Sequence, residues 1–157
     1  MVTLVLQAGV PANEEQYIHR LGRTARAGAQ GKGILLLCPF ERFFLDKAAI
    51  SALPLQPYQP QSQHSVDANT VKYALSQVSE EAKGQAYGAW LGYMKGFGKS
   101  TKWSSPQLIS MANTFAFETC QYVGAGDGKA PPMEAKTIGK MGLKDFVRLS
   151  SMSVCPC

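Results

Sequence analysis

Two short apolar runs near the start of the chain predict buried β-strands. Val2–Leu6 and Ile34–Leu37 each consist of apolar or β-branched residues, which is typical of parallel strands covered on both faces. Between them, Asn13 with a glutamine three residues later is typical of a helix N-terminus, and the acidic residues that follow it suit the positive end of the helix dipole. We therefore expect a helix that begins at Glu14 and ends near Gly22.

After the second apolar run, the sequence predicts an amphipathic segment, a linker and a group of helices. A proline- and glutamine-rich stretch at 52–65 predicts an extended linker. Apolar periodicity and capping serines predict three further helices, one around Tyr73, one that begins after Ser79 and one capped by Ser105. Glycine and proline are frequent after residue 123, which predicts an irregular tail.

These elements divide the chain into four parts. Residues 1–51 have the order strand, helix, loop, strand, helix, and residues 52–65 form the linker. Residues 66–123 form a helical extension, and residues 124–157 form the irregular tail. The expected fold class is therefore α/β, with parallel strands and helices at the front and an α-helical extension behind them.

Within the predicted extension, four glycines recur every fourth residue in one helix: Gly84, Gly88, Gly92 and Gly96. Each costs roughly 1 kcal/mol of helix propensity relative to alanine. We therefore expect another backbone to approach this face closely, from a neighbouring helix or from the front domain.

Composition narrows the possible functions only a little. The 157 residues carry a formal net charge of +5, from 16 basic and 11 acidic residues, which permits contacts with nucleic-acid phosphates without requiring them. No apolar run approaches the roughly 20 residues of a membrane-spanning helix, so we expect no membrane partner. The four cysteines are far apart except for Cys155 and Cys157, and neither histidine has zinc-ligand spacing from them. We expect no metal site, and the terminal cysteine pair has no assigned role.

The strongest chemical signal is a cluster of arginines at the end of the first predicted helix. Between His19 and Arg26 the sequence places three arginines and one histidine among small or apolar residues. A guanidinium group is always charged and presents a planar fork of donors, so arginines three residues apart can hold the oxygens of one polyphosphate. A solvated basic helix end is the simpler alternative, but the flanking predicted strands favour phosphate binding.

The run Tyr17–Gly28 resembles the last motif of the DEAD-box RNA helicases, YxHRxGRxxRxG. This resemblance implies that residues 1–51 complete the second RecA-like domain of a helicase. It also implies that Arg23 and Arg26 reach the γ-phosphate of an ATP that is held on the first RecA-like domain. His19 would couple the ATP site to the RNA site by the same resemblance.

Two further positions of this motif have weaker implications. Arg20 would brace its own domain rather than contact the nucleotide. Ala25 stands where many members of the family carry glycine, and we expect this departure to have little consequence.

Residues 65–145 resemble the C-terminal extension of the fungal mitochondrial DEAD-box splicing chaperones. The similar stretches are Ala86–Tyr93, Met111–Asn113, Pro131–Pro132 and Ile138–Lys144. In that group the extension helps to hold and bend structured RNA, so the resemblance implies an RNA partner and a mitochondrial location. The match fades from Asp145 onward.

Three lysines near one tryptophan are the candidate RNA contacts of this extension. Lys95, Lys99 and Lys102 lie close in sequence to Trp103. Basic side chains can bind backbone phosphates, and an aromatic ring can stack on an unpaired base. A solvated lysine face, with Trp103 inside a core, is an equally good interpretation.

Taken together, these resemblances imply the C-terminal part of an ATP-dependent RNA helicase. The phosphate-binding loop and the acidic metal-binding motif are absent from the sequence. We therefore expect ATP and Mg²⁺ to be bound mainly by a missing N-terminal RecA-like domain in cis, and the isolated chain to be inactive. The alternative is a non-catalytic RNA-binding or protein-interaction module derived from a helicase.

Overall fold

The structure is a computed structural model that describes residues 2–25, 30–59 and 67–144. It divides into two compact units, Met1–Gln63 and His64–Cys157, called here the front unit and the helical unit. In the described part of the chain, no helix combines the length and the apolar character needed to span a membrane.

The front unit is built on two parallel strands, β1 (Leu4–Ala8) and β2 (Lys32–Leu36), with Leu4 opposite Lys32 and Ala8 opposite Leu36. Helix α1 (Glu14–Leu21) connects the strands, and β2 is followed by a 3₁₀ helix (Pro39–Asp46) and helix α2 (Ala48–Ser51). The parallel pairing with a connecting helix confirms the predicted α/β class.

Helix α1 begins and ends where the sequence predicts. The Asn13 side chain accepts a hydrogen bond from the Gln16 N–H at 2.8 Å, and the Gln16 side chain accepts one from the Ala12 N–H at 2.9 Å. At the other end, the Gly22 N–H donates to the carbonyl of Ile18 at 2.8 Å. The orphan donors and acceptors at both helix ends are thereby partly satisfied.

The core of the front unit lies on one side of the strands. The ring of Tyr17 on α1 packs edge-on against Phe44, with 5.9 Å between ring centroids. On the opposite face of β1, Leu4 and Leu6 are 50% and 60% exposed. The prediction of a strand buried on both faces is therefore wrong for the described residues, because α1 covers only one face of this two-stranded sheet.

The beginning of the predicted linker has neither helix nor strand over residues 54–59. Its Tyr58 ring lies 4.4 Å from the Nζ of Lys32, at the start of β2, in a cation–π contact. Residues 60–66 lie outside the described residues.

The helical unit contains five helices in its described part: α3 (Ala68–Ser76), α4 (Glu80–Gly96), α5 (Gly98–Thr101), α6 (Ser105–Thr114) and α7 (Ala135–Lys140). A π-helical turn, Phe115–Thr119, extends α6. The core lies between α4 and α6, and its buried side chains include Tyr87, Leu91, Met94, Leu108, Ile109 and Ala112. Ser79 caps α4 as predicted, accepting from the Ala82 N–H at 3.2 Å.

Two predictions for the helical unit differ from the structure. The N-cap of α6 is Ser104 rather than Ser105, because Gln107 completes a capping box with Ser104, whose N–H donates to the Gln107 side chain at 2.9 Å. The tail predicted to be irregular contains helix α7. Residues 145–157, with the terminal cysteines, lie outside the described residues.

The glycine face of α4 packs against the tail. A β-carbon on Gly84 would stand 3.6 Å from the Cβ of Pro131, and one on Gly92 would stand 3.1 Å from the terminal methyl of Met141. Gly96 has no such neighbour within 4 Å. Residues later in the helical unit, including the C-cap residue of helix α7, therefore approach most of this glycine face.

Candidate functional site

Arg23 lies in the turn that follows helix α1. Its N–H donates to the carbonyl of Arg20 at 3.2 Å, and the next N–H, of Thr24, donates to the carbonyl of Leu21 at 3.1 Å. The Arg23 side chain is exposed and has no hydrogen bond or ion pair to another residue in the described part of the chain. Its guanidinium group is therefore not engaged by any residue in these described ranges.

The turn that carries Arg23 is fixed to the rest of the front unit by Thr24. The Thr24 side chain is buried, and its hydroxyl donates to the carbonyl of Val2 at 2.7 Å. Gly31 lies against the same turn, where a β-carbon would overlap with the Thr24 side chain and stand 2.7 Å from the Ala25 nitrogen. The position of Arg23 is thus set by the residues just before β1 and β2.

Ala25 adopts a left-handed backbone conformation, with φ of +56°. This region costs an L-residue other than glycine roughly 1–2 kcal/mol. The conformation gives a physical reason for glycine at this position in many DEAD-box helicases. The alanine therefore has a local cost, although the sequence led us to expect little consequence.

A groove of about 570 Å³ runs between β1 and one face of α1. Helix α1 contributes Gln16, His19 and Arg20 to its wall, and the turn after the helix contributes Arg23. The three helical residues follow one another at helical spacing, so their side chains share one stripe of the helix. The structure thus places His19 and Arg23 on the same groove, which we call the arginine groove, whereas Arg26 lies outside the described residues.

The arginine groove collects positive charge near the C-terminal end of α1, where the helix dipole stabilises cations. Two carboxylates of the front unit are engaged elsewhere. Glu14 pairs with Lys47 at 3.1 Å, and its pKa is lowered by a backbone hydrogen bond and by this lysine. The Glu41 carboxylate accepts from the Cys38 N–H at 2.8 Å.

Gln7 is a site residue that the sequence analysis missed. Its side chain lies in the wall of the arginine groove and is only 5% exposed. The Nε2 group donates to the carbonyl of Tyr17 at 3.3 Å, while Oε1 is buried without a hydrogen-bond partner among the described residues. The signal that could have revealed it is a polar residue at the end of an otherwise apolar strand.

The candidate RNA contacts of the helical unit are only partly brought together. Lys95, Lys99 and Lys102 are exposed, and Trp103 is half-buried. Trp103 and Lys95 line one small pocket of about 180 Å³ whose floor includes Leu143, but Lys99 and Lys102 do not line it. Trp103 is therefore neither a fully buried core residue nor a freely exposed ring.

A second cluster that the sequence did not predict surrounds Glu80, and we call it the Glu80 cluster. The buried Lys83 ammonium donates to Glu80 at 2.6 Å and to the carbonyl of Gln121 at 3.1 Å. The other Glu80 oxygen accepts from the N–H groups of Val123 and Gly124, each at 2.7 Å. The hydrogen bond from Lys83, and then these backbone bonds, lower the pKa of Glu80 to about 2.

Histidine, cysteine and carboxylate side chains are the groups that bind metal ions in proteins. Among residues 2–25, 30–59 and 67–144, no group of three or more of these side chains is arranged to hold a metal ion.

Sequence comparison relates the chain to DEAD-box ATP-dependent RNA helicases. It is 41% identical over 150 residues to the mitochondrial RNA helicase mss116 of Aspergillus oryzae, a match that covers 91% of this chain and 22% of that protein. It is also 42% identical over 147 residues to DEAD-box ATP-dependent RNA helicase 31 of Arabidopsis thaliana, covering 92% of this chain and 19% of that protein. No protein-family model matches the chain.

A solved structure shares the fold. The chain superposes with a TM-score of 0.62 on Mss116p bound to single-stranded RNA and AMP-PNP, at 23% identity, and the match covers 95% of this chain and 29% of that one. The chain thus spans about a fifth of the length of the curated relatives it matches. The resemblance seen in the arginine motif is confirmed, as is the fold of parallel strands with a helical extension.

Proposed function

Since the chain is related over nearly its whole length to DEAD-box ATP-dependent RNA helicases, we propose that it supplies the phosphate-contacting arginines of such an enzyme. The observation that carries this proposal is the exposed Arg23 at the mouth of the arginine groove, with no partner among the described residues. The matching protein Mss116p has been solved with an ATP analogue and single-stranded RNA, which supports ATP and RNA as the ligands.

Arg23 is suited to stabilise charge on a transferring phosphoryl group. A guanidinium fork donates two parallel hydrogen bonds to phosphate oxygens, and it keeps its charge at every physiological pH. An arginine supplied from a second domain is worth roughly 10³ to 10⁵ in the rate of phosphoryl transfer. Arg26 shares this proposed role, and His19, on the same groove, would couple the nucleotide site to the RNA site.

Most of the contacts to ATP would be made by residues outside this chain. Mg²⁺ and most of the nucleotide would be bound by an N-terminal RecA-like domain in cis. When bound, Mg²⁺ neutralises charge that develops between the β- and γ-phosphates. The role left to this chain is to complete the site from the opposite side of a cleft.

The helical unit would bind RNA in the same enzyme. Exposed Lys95, Lys99 and Lys102 can neutralise backbone phosphates, and the half-buried ring of Trp103 can stack on an unpaired base. The pocket beside Trp103 supports this role for Lys95 more directly than for the other two lysines.

A mitochondrial location is part of the proposal. Two of the relatives at 41% identity, from Aspergillus oryzae and Phaeosphaeria nodorum, are named as mitochondrial helicases, whereas the plant relatives carry no organelle in their names. A fluorescent fusion of the whole gene product that stains the cytosol and spares mitochondria would contradict it.

The function is tested with a helicase chimera, in which this chain replaces the matching segment of the Aspergillus oryzae relative. We expect RNA-stimulated ATP hydrolysis by the chimera and none by the isolated 157-residue chain. ATP hydrolysis by the isolated chain would contradict the proposal that another domain binds most of the nucleotide. A folded chimera that binds RNA but never hydrolyses ATP would favour the non-catalytic alternative.

RNA binding by the helical unit is tested by a salt titration of the same chimera. Replacing Lys95, Lys99 and Lys102 by glutamine removes up to three phosphate contacts, so the slope of log K against log salt should become shallower by about 0.7 per lost contact with single strands. Glutamine at Lys72 and Lys136, two other exposed lysines of the helical unit, is the matched control. An unchanged slope in the triple variant would favour the solvated lysine face.

A further inference from the structure

Only one of the two polar atoms of the Gln7 side chain has a hydrogen-bond partner among the described residues. Its Nε2 group donates to the carbonyl of Tyr17 at 3.3 Å, which fixes the direction in which Oε1 points. That Oε1 is buried and has no hydrogen-bond partner among the described residues. Since nearly all buried polar side-chain atoms in folded proteins have a partner, this oxygen calls for a donor in the active arrangement.

The geometry of helix α1 indicates which donor is nearest. In an α-helix the carbonyl of one residue points towards the turn formed by the residues three and four positions later. The carbonyl of Tyr17 therefore points to the turn of Arg20 and Leu21, and the Gln7 amide bound to that carbonyl lies beside the same turn. Of these two residues, Arg20 has a side chain that lines the arginine groove, as Gln7 does.

Arg20 is likewise not engaged by any residue that the structure describes. Its side chain is exposed and has no hydrogen bond or ion pair to any other residue in the described ranges. An arginine has five N–H donors, so one of them can satisfy Gln7 Oε1 while the others remain hydrated.

We propose that Gln7 is a positioning residue, whose Oε1 accepts a hydrogen bond from the Arg20 guanidinium when Arg23 contacts the nucleotide. This inference rests on the proposed function. With Arg20 tied to β1 through Gln7, the last turn of α1 is fixed, and the next turn keeps Arg23 directed at the phosphates. One arginine is then used to hold the site and another to contact the ligand.

The test is a double-mutant cycle in the helicase chimera, with Gln7→Leu, Arg20→Met and both together. Each single change should lower kcat for ATP roughly 10- to 100-fold, the effect of losing a hydrogen bond to a charged group. The double variant should be no slower than the slower single variant, and KM for ATP should change less than kcat. If the two single losses in kcat multiply in the double variant, the proposal is overturned.

Two further variants allow the proposal to be tested even if Gln7→Leu folds poorly. Gln7→Glu loses the Nε2 donor to the Tyr17 carbonyl, as Gln7→Leu does, but retains an oxygen acceptor for Arg20. It should therefore be faster than Gln7→Leu when Arg20 is present and no faster in the Arg20→Met background. Gln16→Leu, in the same groove, removes a hydrogen bond to the Ala12 N–H and should lower Tm without coupling to Arg20. Coupling of Gln7 to Arg23 in place of Arg20 would also overturn the proposal.

Failure of this inference is distinguishable from failure of the proposed function. If Arg23→Ala leaves ATP hydrolysis intact, the proposed function fails whatever Gln7 does. If Arg23→Ala abolishes hydrolysis while Gln7 and Arg20 act independently, only the positioning role fails.

Discussion

Gly31 lies so close to Thr24 that a β-carbon on Gly31 would overlap with the threonine side chain and stand 2.7 Å from the Ala25 nitrogen. The turn that carries Arg23 and the approach to β2 therefore pack backbone against backbone. We expect Gly31→Ala to lower the free energy of unfolding of the front unit by about 1–3 kcal/mol, the usual cost of overpacking. Chemical denaturation followed by circular dichroism measures this change.

Gly96→Ala is the matched control for that experiment. Nothing lies within 4 Å of a β-carbon at Gly96, which ends helix α4. Alanine there should leave stability unchanged or raise it by up to about 1 kcal/mol, through helix propensity. Equal losses at both glycines would show that the tight packing at Gly31 has no energetic consequence.

Ala25→Gly should stabilise the chain. The left-handed backbone of Ala25 is strained, and glycine adopts this conformation freely, although it adds entropy to the unfolded chain. The net gain should be about 0.5–1 kcal/mol, seen as a higher denaturation midpoint with an unchanged m-value. Ala25→Val should destabilise by more than that, and a valine variant as stable as the glycine one would contradict the strained turn.

The Glu80 cluster predicts an acid-sensitive tail in the helical unit. The folded pKa of Glu80, about 2, lies below its ordinary value of 4.5. A depressed carboxyl pKa stabilises the fold above the unfolded pKa, and this contribution is lost as pH falls from about 4.5 towards 2. We expect Glu80→Gln to lower Tm at pH 6, and the gap to the parent chain to close as the pH approaches 2.

Glu81→Gln serves as the control for the Glu80 variant. Glu81 is exposed, and its carboxylate accepts a hydrogen bond from Gln85 at 3.5 Å. The Tm of the Glu81→Gln variant should change with pH in the same way as that of the parent chain from pH 6 to pH 3. A pH-independent gap for Glu80→Gln would mean that the cluster acts through packing rather than through the carboxylate charge.

Local signals were sufficient to predict much of the front unit. Asn13 and Gly22 mark the ends of α1 because capping depends on residues within one turn. The clustering of basic residues between His19 and Arg26 is evident from the sequence, and the structure places His19 and Arg23 on one groove. The roles proposed for these side chains, and for Arg26, stay predictions.

Features that depend on contacts distant in sequence could not be predicted in this way. The unpaired oxygen of Gln7 arises from a contact ten residues away, and the Glu80 cluster joins positions more than 40 apart. The tail that covers Gly84 was also missed, since glycine spacing shows that something approaches closely but not which segment does so. Such pairings are set by tertiary packing rather than by local propensity.

If Arg23 acts on a nucleotide bound by another domain, its replacement must slow single-turnover ATP hydrolysis by the helicase chimera, which is measured with Arg23→Ala and Arg23→Lys. We predict that alanine lowers the rate by about 10³-fold or more with RNA binding unchanged, and that lysine restores little, because a point charge lacks the planar fork. Hydrolysis within about threefold of the parent chimera in both variants would contradict the account.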